Sequence, residues 1–541
     1  MSETIKEWKL YEAGKKYNSK LDPPYYDTVK LNLDFFNGNQ WKNLKSNGMP
    51  TPVFNILKRG VEFFVSSLMS NKTKIQYSTL EYRDDGNEEF NVADIATNEV
   101  ENLFDKFKME NRIRDALFDA AIMGDVAAHI YFNPDKKPYG GTLGAYEGEI
   151  EFELVDGTNV YFGNANSNRI STEIQPYIII SGRDLVENLK REAESNKAES
   201  NDIKEDNYTE DMAGSFGGTE IEIDGDDTGK AKYIIYYKYD KDTGTIKASK
   251  CTEKAYIYKD VDTGLSRYPV AWLVWEKQKN QYHGRAVCTS MIPNQIFINR
   301  MFAMVMYHLM MAAFPKAVYD ADRITNWSNK IGEAIPMKGL MPGDSIKHIA
   351  GYLEPGNMSN QIAQFLEMAI QYTKETLGIN EAMMGDINPE TASGKSIIAT
   401  VQQSVVPLEN VKANLYEWVE EIGRILLDMM GTYYGPRPLV MREKEQKFIT
   451  DFNFEELKKT FLYTKCDVGP SSYWSEIAAV ETLDNLLRDN RINIIQYLKR
   501  IPTGYITNKN ELIEEIEGQM QMMEQMPPPE IQSQEIPNIQ I

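Results

Sequence analysis

The stretch that decides the fold is KSIIATVQQSVVPLENVKANLYEWVEEIGRILLDMM, residues 395–430. Its apolar side chains recur every three or four residues, which predicts one long amphipathic helix with a continuous apolar face. These positions are Ile397, Val401, Val405, Leu408, Val411, Leu415, Trp418, Ile422, Ile425 and Met429. Pro407 lies inside the pattern. Because proline removes a backbone donor and clashes with the preceding turn, we expect a kink near Gln403.

Two more helices are predicted before this one, over residues 292–314 and 358–377. Pro315 ends the first, and the chain between the two helices is punctuated by Gly and Pro. Strand-like pieces occur there at 316–319 and 346–350. The most apolar stretch is 301–314, which is shorter than the roughly 18–20 residues that span a bilayer, so no membrane segment is predicted.

The remaining pattern predicts an α+β protein. In chain order the expected elements are helices over 1–20, 26–47, 53–71 and 90–123, strands at 126–132, 149–155 and 177–180, strands over 437–468 and helices over 474–526. Two turn signals, DKDTG at 240–244 and DVDTG at 260–264, separate runs of aromatic and β-branched residues. The first signal predicts a β-hairpin between 233–239 and 245–249, and the second predicts one between 255–258 and 270–275.

One segment differs in composition from the rest of the chain. Residues 192–229 hold 13 acidic residues and two lysines, with many Ser, Asn and Gly. Such a segment cannot bury much apolar surface, so we expect a disordered or solvated insertion.

Composition narrows the class of protein. The 541 residues carry a net charge of −21, which argues against a protein that grips a phosphate backbone over its whole surface. The three cysteines are scattered and form no CxxC pair, so neither a zinc site nor a disulfide framework is expected, and a reducing cytoplasm is the natural setting. The N-terminus lacks the apolar region of a signal peptide.

One string resembles part of a nucleotide-binding site. TASGKS at 391–396 resembles the end of a phosphate-binding loop, but Pro389 stands where the motif needs its first glycine. Proline lacks the N–H that would cradle a phosphate. A loop that caps the helix starting near Ser393 is the simpler interpretation.

The sequence contains no complete calcium-binding or hydrolase motif either. Asp224, Asp226, Thr228 and Gly229 match positions 1, 3, 5 and 6 of a calcium loop, yet position 12 is Ile235 instead of a bidentate Glu. His308 lies among methionines, where a packed or interface histidine is the expected role. GxSxG and HExxH are absent from the sequence. We therefore expect no enzyme, no cofactor, no metal site and no catalytic residue.

Six short strings along the chain indicate a protein family through their order. FFNGNQW (35–41), PVFNILKRGVEFF (52–64) with Asn55, DAAIMGDVAAHIYF (119–132), IPNQIFINR (292–300), residues 375–411 and DVGPSSYW (467–474) occur in one order. In that order they resemble the elements of tailed-bacteriophage portal proteins, over roughly residues 30–525. The acidic insertion 192–229 has no place in that pattern.

The resemblance implies a portal-type subunit with a mixed α/β wing, two long stem helices, a small α/β clip, a long kinked helix and a helical crown. Its implied layout is wing 1–287 with the insertion 192–229, first stem helix 288–314, clip 315–356, second stem helix 357–378, tunnel loop 379–394, long kinked helix and C-terminal wing part 395–470, crown 471–526 and tail 527–541. The tunnel loop would face the channel through Glu381, Asp386, Asn388, Glu390 and Lys395.

The implied function is a ring, usually of twelve copies, at the portal vertex of a capsid, assembled in the host cytoplasm. Double-stranded DNA would pass through its channel, and no membrane is involved. The implied partners are terminase, the major capsid and scaffold proteins, and head-completion or tail adaptor proteins. Two alternatives stay open: a capsid or tail component without a DNA channel, and a nucleotide-dependent packaging enzyme.

Overall fold

The structure is a computed structural model of the chain. It describes residues 4–42, 45–46, 48–69, 73–79, 92–136, 148–165, 172–205, 229–313, 316–328, 330, 332–339, 345–353, 360–376, 408–443, 446–468, 473–489, 491–501, 512–513 and 516. These residues belong to two compact units, one up to Asp467 and one from Val468 onward. Helices and strands are mixed in the first unit, as the prediction of an α+β protein requires.

The N-terminal part is largely helical, as its apolar spacing predicted, although the helix expected over 26–47 ends at Phe36, just before Asn37-Gly38. Its elements are α1 (Lys6–Lys20), α2 (Tyr25–Phe36), α3 (Ile56–Leu68), β1 (Thr73–Thr79), α4 (Val92–Phe107) and α5 (Met109–Met123). The Asn55 side chain accepts a hydrogen bond from Lys58 N and so caps α3. Gly124 ends α5 with φ 109°, and a Cβ there would lie 2.5 Å from the Gly284 carbonyl oxygen, so the close approach requires glycine.

Two antiparallel sheets follow α5. Their strands, with one helix among them, are β2 (Asp125–Asn133), β3 (Glu149–Asp156), β4 (Val160–Phe162), β5 (Tyr177–Leu185), α6 (Val186–Ser195), β6 (Lys230–Asp240), β7 (Thr245–Cys251), β8 (Tyr256–Asp262) and β9 (Val270–Val274). One sheet has the order β3-β2-β9 and the other β4-β5-β6-β7-β8. The hairpin predicted around DKDTG is confirmed, since β6 pairs with β7 and Asp240 lies opposite Thr245.

The hairpin predicted around DVDTG is wrong. β8 pairs with β7, whereas β9 joins the other sheet and pairs with β2, where Ala271 lies opposite Ala128. All five residues of β9 are buried, and the Trp418 indole donates a hydrogen bond to the Ala271 carbonyl oxygen at 3.2 Å. A strand buried on both faces shows no alternation that would identify its partner, so the turn residues alone suggested the wrong pairing.

The first part of the acidic insertion is folded, which corrects the prediction for residues 192–205. Ala193 at the end of α6 and Ile203 beyond it are fully buried in one apolar cluster. The Lys250 ammonium group lies 2.6 Å from a Glu192 carboxylate oxygen. The acidic composition hid two apolar residues that reach this small core. Residues 206–228 lie outside the described residues.

We expect Ile203→Ala to lower the thermal midpoint of the purified protein by several degrees. Removing most of a fully buried aliphatic side chain leaves a cavity and costs about 2–5 kcal/mol. The matched control is Lys204→Ala, because Lys204 is exposed and its loss should leave the midpoint almost unchanged. Equal midpoints for Ile203→Ala and wild type would contradict the packing described for this segment.

The two predicted helices on either side of a small sheet are confirmed. After the short strands β10 (Glu276–Lys277) and β11 (Gly284–Arg285) come α7 (Val287–Ala313), β12 (Ala317–Tyr319), α8 (Ile346–Ile349), β13 (Ala350–Tyr352) and α9 (Asn360–Thr376). The strand expected at 346–350 is wrong in part, because Ile346–Ile349 forms one helical turn and β13 follows it. Two isoleucines three residues apart suit a helical turn as well as a strand. β12 and β13 pair antiparallel.

The length of α7 overturns the reason for predicting no membrane segment. The helix predicted over 292–314 starts at Val287, so it extends well beyond the apolar stretch 301–314, and its 27 residues contain an 18-residue window of mean hydropathy 1.4. It is therefore long and apolar enough to cross a bilayer by those measures alone. One such helix is weak evidence for a membrane span, because helices that pack within proteins pass the same test. That no membrane is involved stays a prediction.

The long helix is confirmed where the structure describes it. The remaining elements are α10 (Glu409–Tyr433), β14 (Pro436–Glu443), β15 (Gln446–Asn453), α11 (Glu456–Lys459), β16 (Leu462–Val468), α12 (Tyr473–Arg488) and α13 (Ile494–Arg500). The predicted positions from Val411 to Met429 form the buried face of α10. Residues 395–407, with the kink expected near Gln403, lie outside the described residues.

Strand β1 was not predicted. It pairs with β16, and Ile75 and Tyr77 of β1 are buried. The Tyr77 hydroxyl donates to the Gly423 carbonyl oxygen of α10 at 2.9 Å, and a Cβ on Gly423 would lie 2.8 Å from the Ile75 side chain. Two alternating apolar residues are too weak a signal to show this strand from the sequence.

Candidate assembly surface

Helix α7 changes environment along its length. Its first part is embedded in the core, where the buried residues are Cys288, Met291, Ile292, Gln295, Ile298, Asn299 and Ala303. From Met304 to Ala313 no residue is buried, although this segment carries no Lys, Arg, Asp or Glu. Met304, Leu309 and Met310 are each about half exposed, at 49%, 56% and 52%. An apolar helix that is exposed on its sides requires cover from another molecule.

Helix α9 extends the exposed apolar surface. Ile362, Phe365, Met368 and Tyr372 are exposed and follow helical spacing, and the Phe365 and Phe297 rings lie 6.0 Å apart. We call the exposed residues Phe297, Met304, Met306, Tyr307, Leu309, Met310, Met311, Ile362, Phe365, Met368 and Tyr372 the assembly surface. Contiguous exposed apolar surface of this kind marks a protein interaction site.

A second stripe of α9 is polar. Gln364, Glu367, Gln371 and Glu375 are exposed, and the Gln371 amide donates to the Glu375 carboxylate at 3.0 Å. The helix thus presents an apolar stripe and an acidic, amide-rich stripe on different sides. An assembly that covers the apolar stripe can leave the polar stripe in water.

A buried network of amides anchors α7 to the N-terminal helices. The Gln295 side-chain oxygen accepts from Leu57 N at 3.2 Å and from Ile56 N at 3.1 Å, and Ile56 N also donates to the Phe54 carbonyl oxygen at 2.8 Å. The Gln295 amide nitrogen donates to the Phe54 carbonyl oxygen at 2.7 Å. The Asn299 amide in turn donates to the Gln40 side-chain oxygen at 2.6 Å. We call these contacts the amide network.

The amide network joins three strings that are far apart in the sequence. Gln40 comes from FFNGNQW, Phe54 and Ile56 from PVFNILK, and Gln295 and Asn299 from IPNQIFINR. Asn55 belongs to the same region, since its side chain donates to the Phe36 carbonyl oxygen at 2.9 Å. Asn55 was predicted as a recurring polar residue, but the roles of Gln295 and Asn299 were not predicted. Their signal was a pair of amides four residues apart, which lie on one side of a helix.

We expect Gln295→Leu to lower the thermal midpoint clearly, because Leu57 N loses its acceptor, while Ile56 N and the Phe54 carbonyl oxygen keep only the bond between them. Each unsatisfied buried group costs about 1–3 kcal/mol. Gln371→Leu is the matched control, since Gln371 is an exposed helical glutamine and its substitution should change the midpoint little. If both variants melt like wild type, the amide network does not anchor α7.

The short sheet between α7 and α9 has an aromatic cover. The Trp327 ring stacks on Tyr319 at 5.2 Å and meets the edge of Tyr352 at 5.9 Å. Val318 and Tyr352 are more than half exposed, at 55% and 56%. A two-stranded sheet is marginally stable by itself, so this region also suits contact with another molecule.

The residues predicted for the tunnel loop cannot be compared with the structure. Glu381, Asp386, Asn388, Glu390 and Lys395 all lie outside the described residues, as do Asp224, Asp226 and Thr228 of the calcium-like string. Within the part of the chain that is described, no group of three or more His, Cys, Asp or Glu residues could hold a metal ion. His308 is half-buried on α7, beside the exposed methionines.

A buried polar cluster surrounds Asp125. Asp125 accepts hydrogen bonds from the Tyr25 hydroxyl at 2.7 Å, His283 Nδ1 at 3.0 Å and Gly284 N at 2.9 Å. Burial, followed by the Asp125 charge, raises the pKa of Tyr25 well above its usual value, so the phenol stays a donor. Asp125 and His283 are fully enclosed, so a substrate cannot reach them, and the cluster ties β2 to the segment before α7.

A second buried histidine, His129, lies between the two sheets. Burial lowers the pKa of His129 to about 4, so its ring is neutral at pH 7 and makes a 2.9 Å contact with the Tyr237 hydroxyl. His129 and the Asp125 cluster contact different partners. The His129 contact therefore joins β2 of one sheet to β6 of the other.

The fold and the assembly surface together define a structural subunit that is completed by neighbouring molecules. A family model described as phage P22-like portal protein matches residues 190–536, more than half of the chain. The chain therefore belongs to the P22-like phage portal protein family, and it is a portal protein of a bacteriophage virion. The match includes residues 192–229, which the earlier resemblance could not place. A comparison with curated proteins gave no match.

Proposed function

We propose that this portal protein closes into a ring at one vertex of the capsid, with the twelve copies that are usual in the family. DNA would enter and leave through the axial channel of the ring. The observation that carries the proposal is the exposed apolar end of α7, which needs cover on more than one side. A ring supplies such cover, because each subunit contacts two neighbours through different faces. The matched family supports the same assembly.

The proposed layout assigns α7 to the first stem helix and α9 to the second. The clip would be 315–356, with the small β12–β13 sheet and its aromatic cover, and the tunnel loop 379–394. The wing would comprise 1–287 and the later part of 395–470, and the crown 471–526. The amide network would then connect the wing to the first stem helix, so that load on the stem is carried into the core.

The charge of the chain suits a conduit for DNA. Twelve copies with a net charge of −21 carry about −252 formal charges, so the bulk surface repels phosphate and favours passage over tight binding. In the tunnel loop Glu381, Asp386 and Glu390 would repel the DNA phosphates, while Lys395 at its end would touch them weakly. Gly385, Asn388 and Gly394 suit an adaptable loop.

The proposed partners follow from this position in the virion. Terminase would dock during packaging, the major capsid and scaffold proteins would surround the ring during assembly in the host cytoplasm, and head-completion or tail adaptor proteins would bind at the clip. The exposed Val318 and Tyr352 of the small sheet offer an apolar contact for such a protein. The portal itself acts as a structural part, without an enzymatic step or a cofactor.

We expect the purified chain to form closed rings of about twelve subunits and to hydrolyse no ATP. Native mass spectrometry of the protein gives the subunit number, and a phosphate-release assay gives the turnover. The control for the assay is Lys395→Ala, which removes the one lysine of the TASGKS string. ATP turnover that disappears in this variant would contradict a purely structural role, and a stable monomer would contradict the ring.

Deleting residues 384–392 should leave ring assembly intact and impair packaging or retention of the genome. The deletion shortens the proposed tunnel loop but keeps both helices that flank it in sequence. Ring formation is measured by mass, and packaged DNA by nuclease protection in virions. Normal packaging and retention would show that the tunnel-loop assignment is wrong, and loss of the ring would show that the segment is structural.

A further inference from the structure

Helix α1 presents a row of positive charge on an acidic protein. The helix contains five lysines and two glutamates, which gives it a net charge of +3 in a chain whose net charge is −21. Four of the lysines are exposed and are spaced by three, seven and four residues, so they lie along one face of the helix over about 21 Å. We call these four residues the lysine stripe: Lys6, Lys9, Lys16 and Lys20.

The opposite face of α1 holds the lysine stripe in place. Trp8 and Tyr11 are buried, and the Tyr11 ring meets Tyr161 of the five-stranded sheet edge to face at 5.1 Å. A Cβ on Gly14 would lie 2.7 Å from the Tyr161 ring, so the helix and the sheet approach closely. The stripe is therefore carried on a well-packed support and faces solvent.

The acidic residues of α1 leave the stripe with an excess of positive charge. The Tyr256 hydroxyl donates to a Glu7 carboxylate oxygen at 2.7 Å, and Glu7 is half-buried. Glu12 is the one exposed acid of the helix, three residues after Lys9 and four before Lys16. Within α1, four exposed lysines thus face a single exposed carboxylate.

The composition of this exposed face distinguishes between two classes of partner. Protein interfaces are enriched in Arg and aromatic residues and depleted in Lys. Helix α1 contains no Arg, and its aromatic residues Trp8, Tyr11 and Tyr17 are buried or half-buried. A lysine ammonium group is a compact charge that binds phosphate without a fixed geometry. The row therefore favours the backbone of a nucleic acid over an acidic protein surface.

We propose that the lysine stripe binds the phosphate backbone of double-stranded DNA. The proposal rests on the proposed function for the presence of DNA, and it adds a contact that is separate from the tunnel loop. Each lysine would displace counterions from the duplex without reading its bases. Contacts of this kind are strongly salt-dependent and let DNA slide, so they hold DNA beside the protein without fixing its position.

The test uses the full-length protein and covalently closed circular duplex DNA. Such a circle cannot thread through a closed ring, so its binding reports contacts outside the channel. The stripe variant combines four substitutions: Lys6→Gln, Lys9→Gln, Lys16→Gln and Lys20→Gln. The control variant has the same net charge and changes four exposed lysines outside α1: Lys204→Gln, Lys241→Gln, Lys279→Gln and Lys459→Gln. Circular dichroism and thermal melting check that both variants fold.

Binding is measured as a function of salt by retardation of the circles in a gel. With four phosphate contacts for each engaged subunit, the affinity of wild type should fall at least on the order of a hundredfold between about 50 and 200 mM salt. The stripe variant should bind more than about tenfold more weakly at the lower salt and with a flatter salt dependence, whereas the control variant should keep the salt dependence of wild type. Glu12→Gln, which removes the exposed carboxylate beside the stripe, should bind more tightly than wild type.

A stripe variant that misfolds has a smaller replacement. The pair Lys16→Gln and Lys20→Gln should remove about half of the salt dependence, because two of the four phosphate contacts are lost.

Two results would overturn the proposal directly: wild type that does not bind the circles at about 50 mM salt, or a folded stripe variant that binds them like the control variant. Polyglutamate tests the other class of partner. If wild type prefers polyglutamate to DNA of equal charge, and the preference is lost in the stripe variant, the stripe serves an acidic protein and the proposal is wrong. The subunit number is measured separately by native mass spectrometry. A wild type without rings refutes the proposed function, whereas rings without stripe-dependent binding refute only the role of the lysine stripe.

Discussion

The rest of the structure depends on the anchoring of α7, which is buried in the core in its first part and exposed from Met304 to Ala313. Gln295 bonds two backbone donors at the start of α3, and Asn299 bonds Gln40, so the first part of an apolar helix is fixed by buried amides. Buried amides are directional, and an unsatisfied one is costly, so this contact allows few alternative positions. The apolar end can then project outward without loss of its orientation.

A second buried cluster holds the segment that leads into α7. Asp125 bonds Tyr25, His283 and the backbone of Gly284, and His283 Nε2 lies 3.1 Å from the Asn18 side-chain oxygen. Residues from α1, α2, β2 and β11 thus share one enclosed site. Removing one partner would leave a buried charge or amide unpaired, which explains why polar residues persist in a core that is otherwise apolar.

The apolar end of α7 and the acidic character of the chain serve different needs of one assembly. The exposed apolar segment from Met304 to Ala313, which a neighbouring subunit covers in the proposed ring, carries no Lys, Arg, Asp or Glu. The exposed stripe of α9 that carries Glu367 and Glu375 can stay in water. In the proposed ring, separating the two types of surface would let subunits associate through apolar contacts while the bulk charge disfavours tight binding of DNA.

Local periodicity was enough to predict α7, α9, the described part of α10, the N-terminal helices and the β6–β7 hairpin, because each depends on neighbours within a few residues. The order of short strings was enough to suggest the family that the match to residues 190–536 bears out. Pairing of β9 with β2, the strand β1 and the burial of Ile203 were decided only by tertiary structure. The roles of Gln295 and Asn299 were decided in the same way, since a hydrogen bond to Ile56 or Gln40 joins residues more than two hundred positions apart, and no local pattern records such a contact.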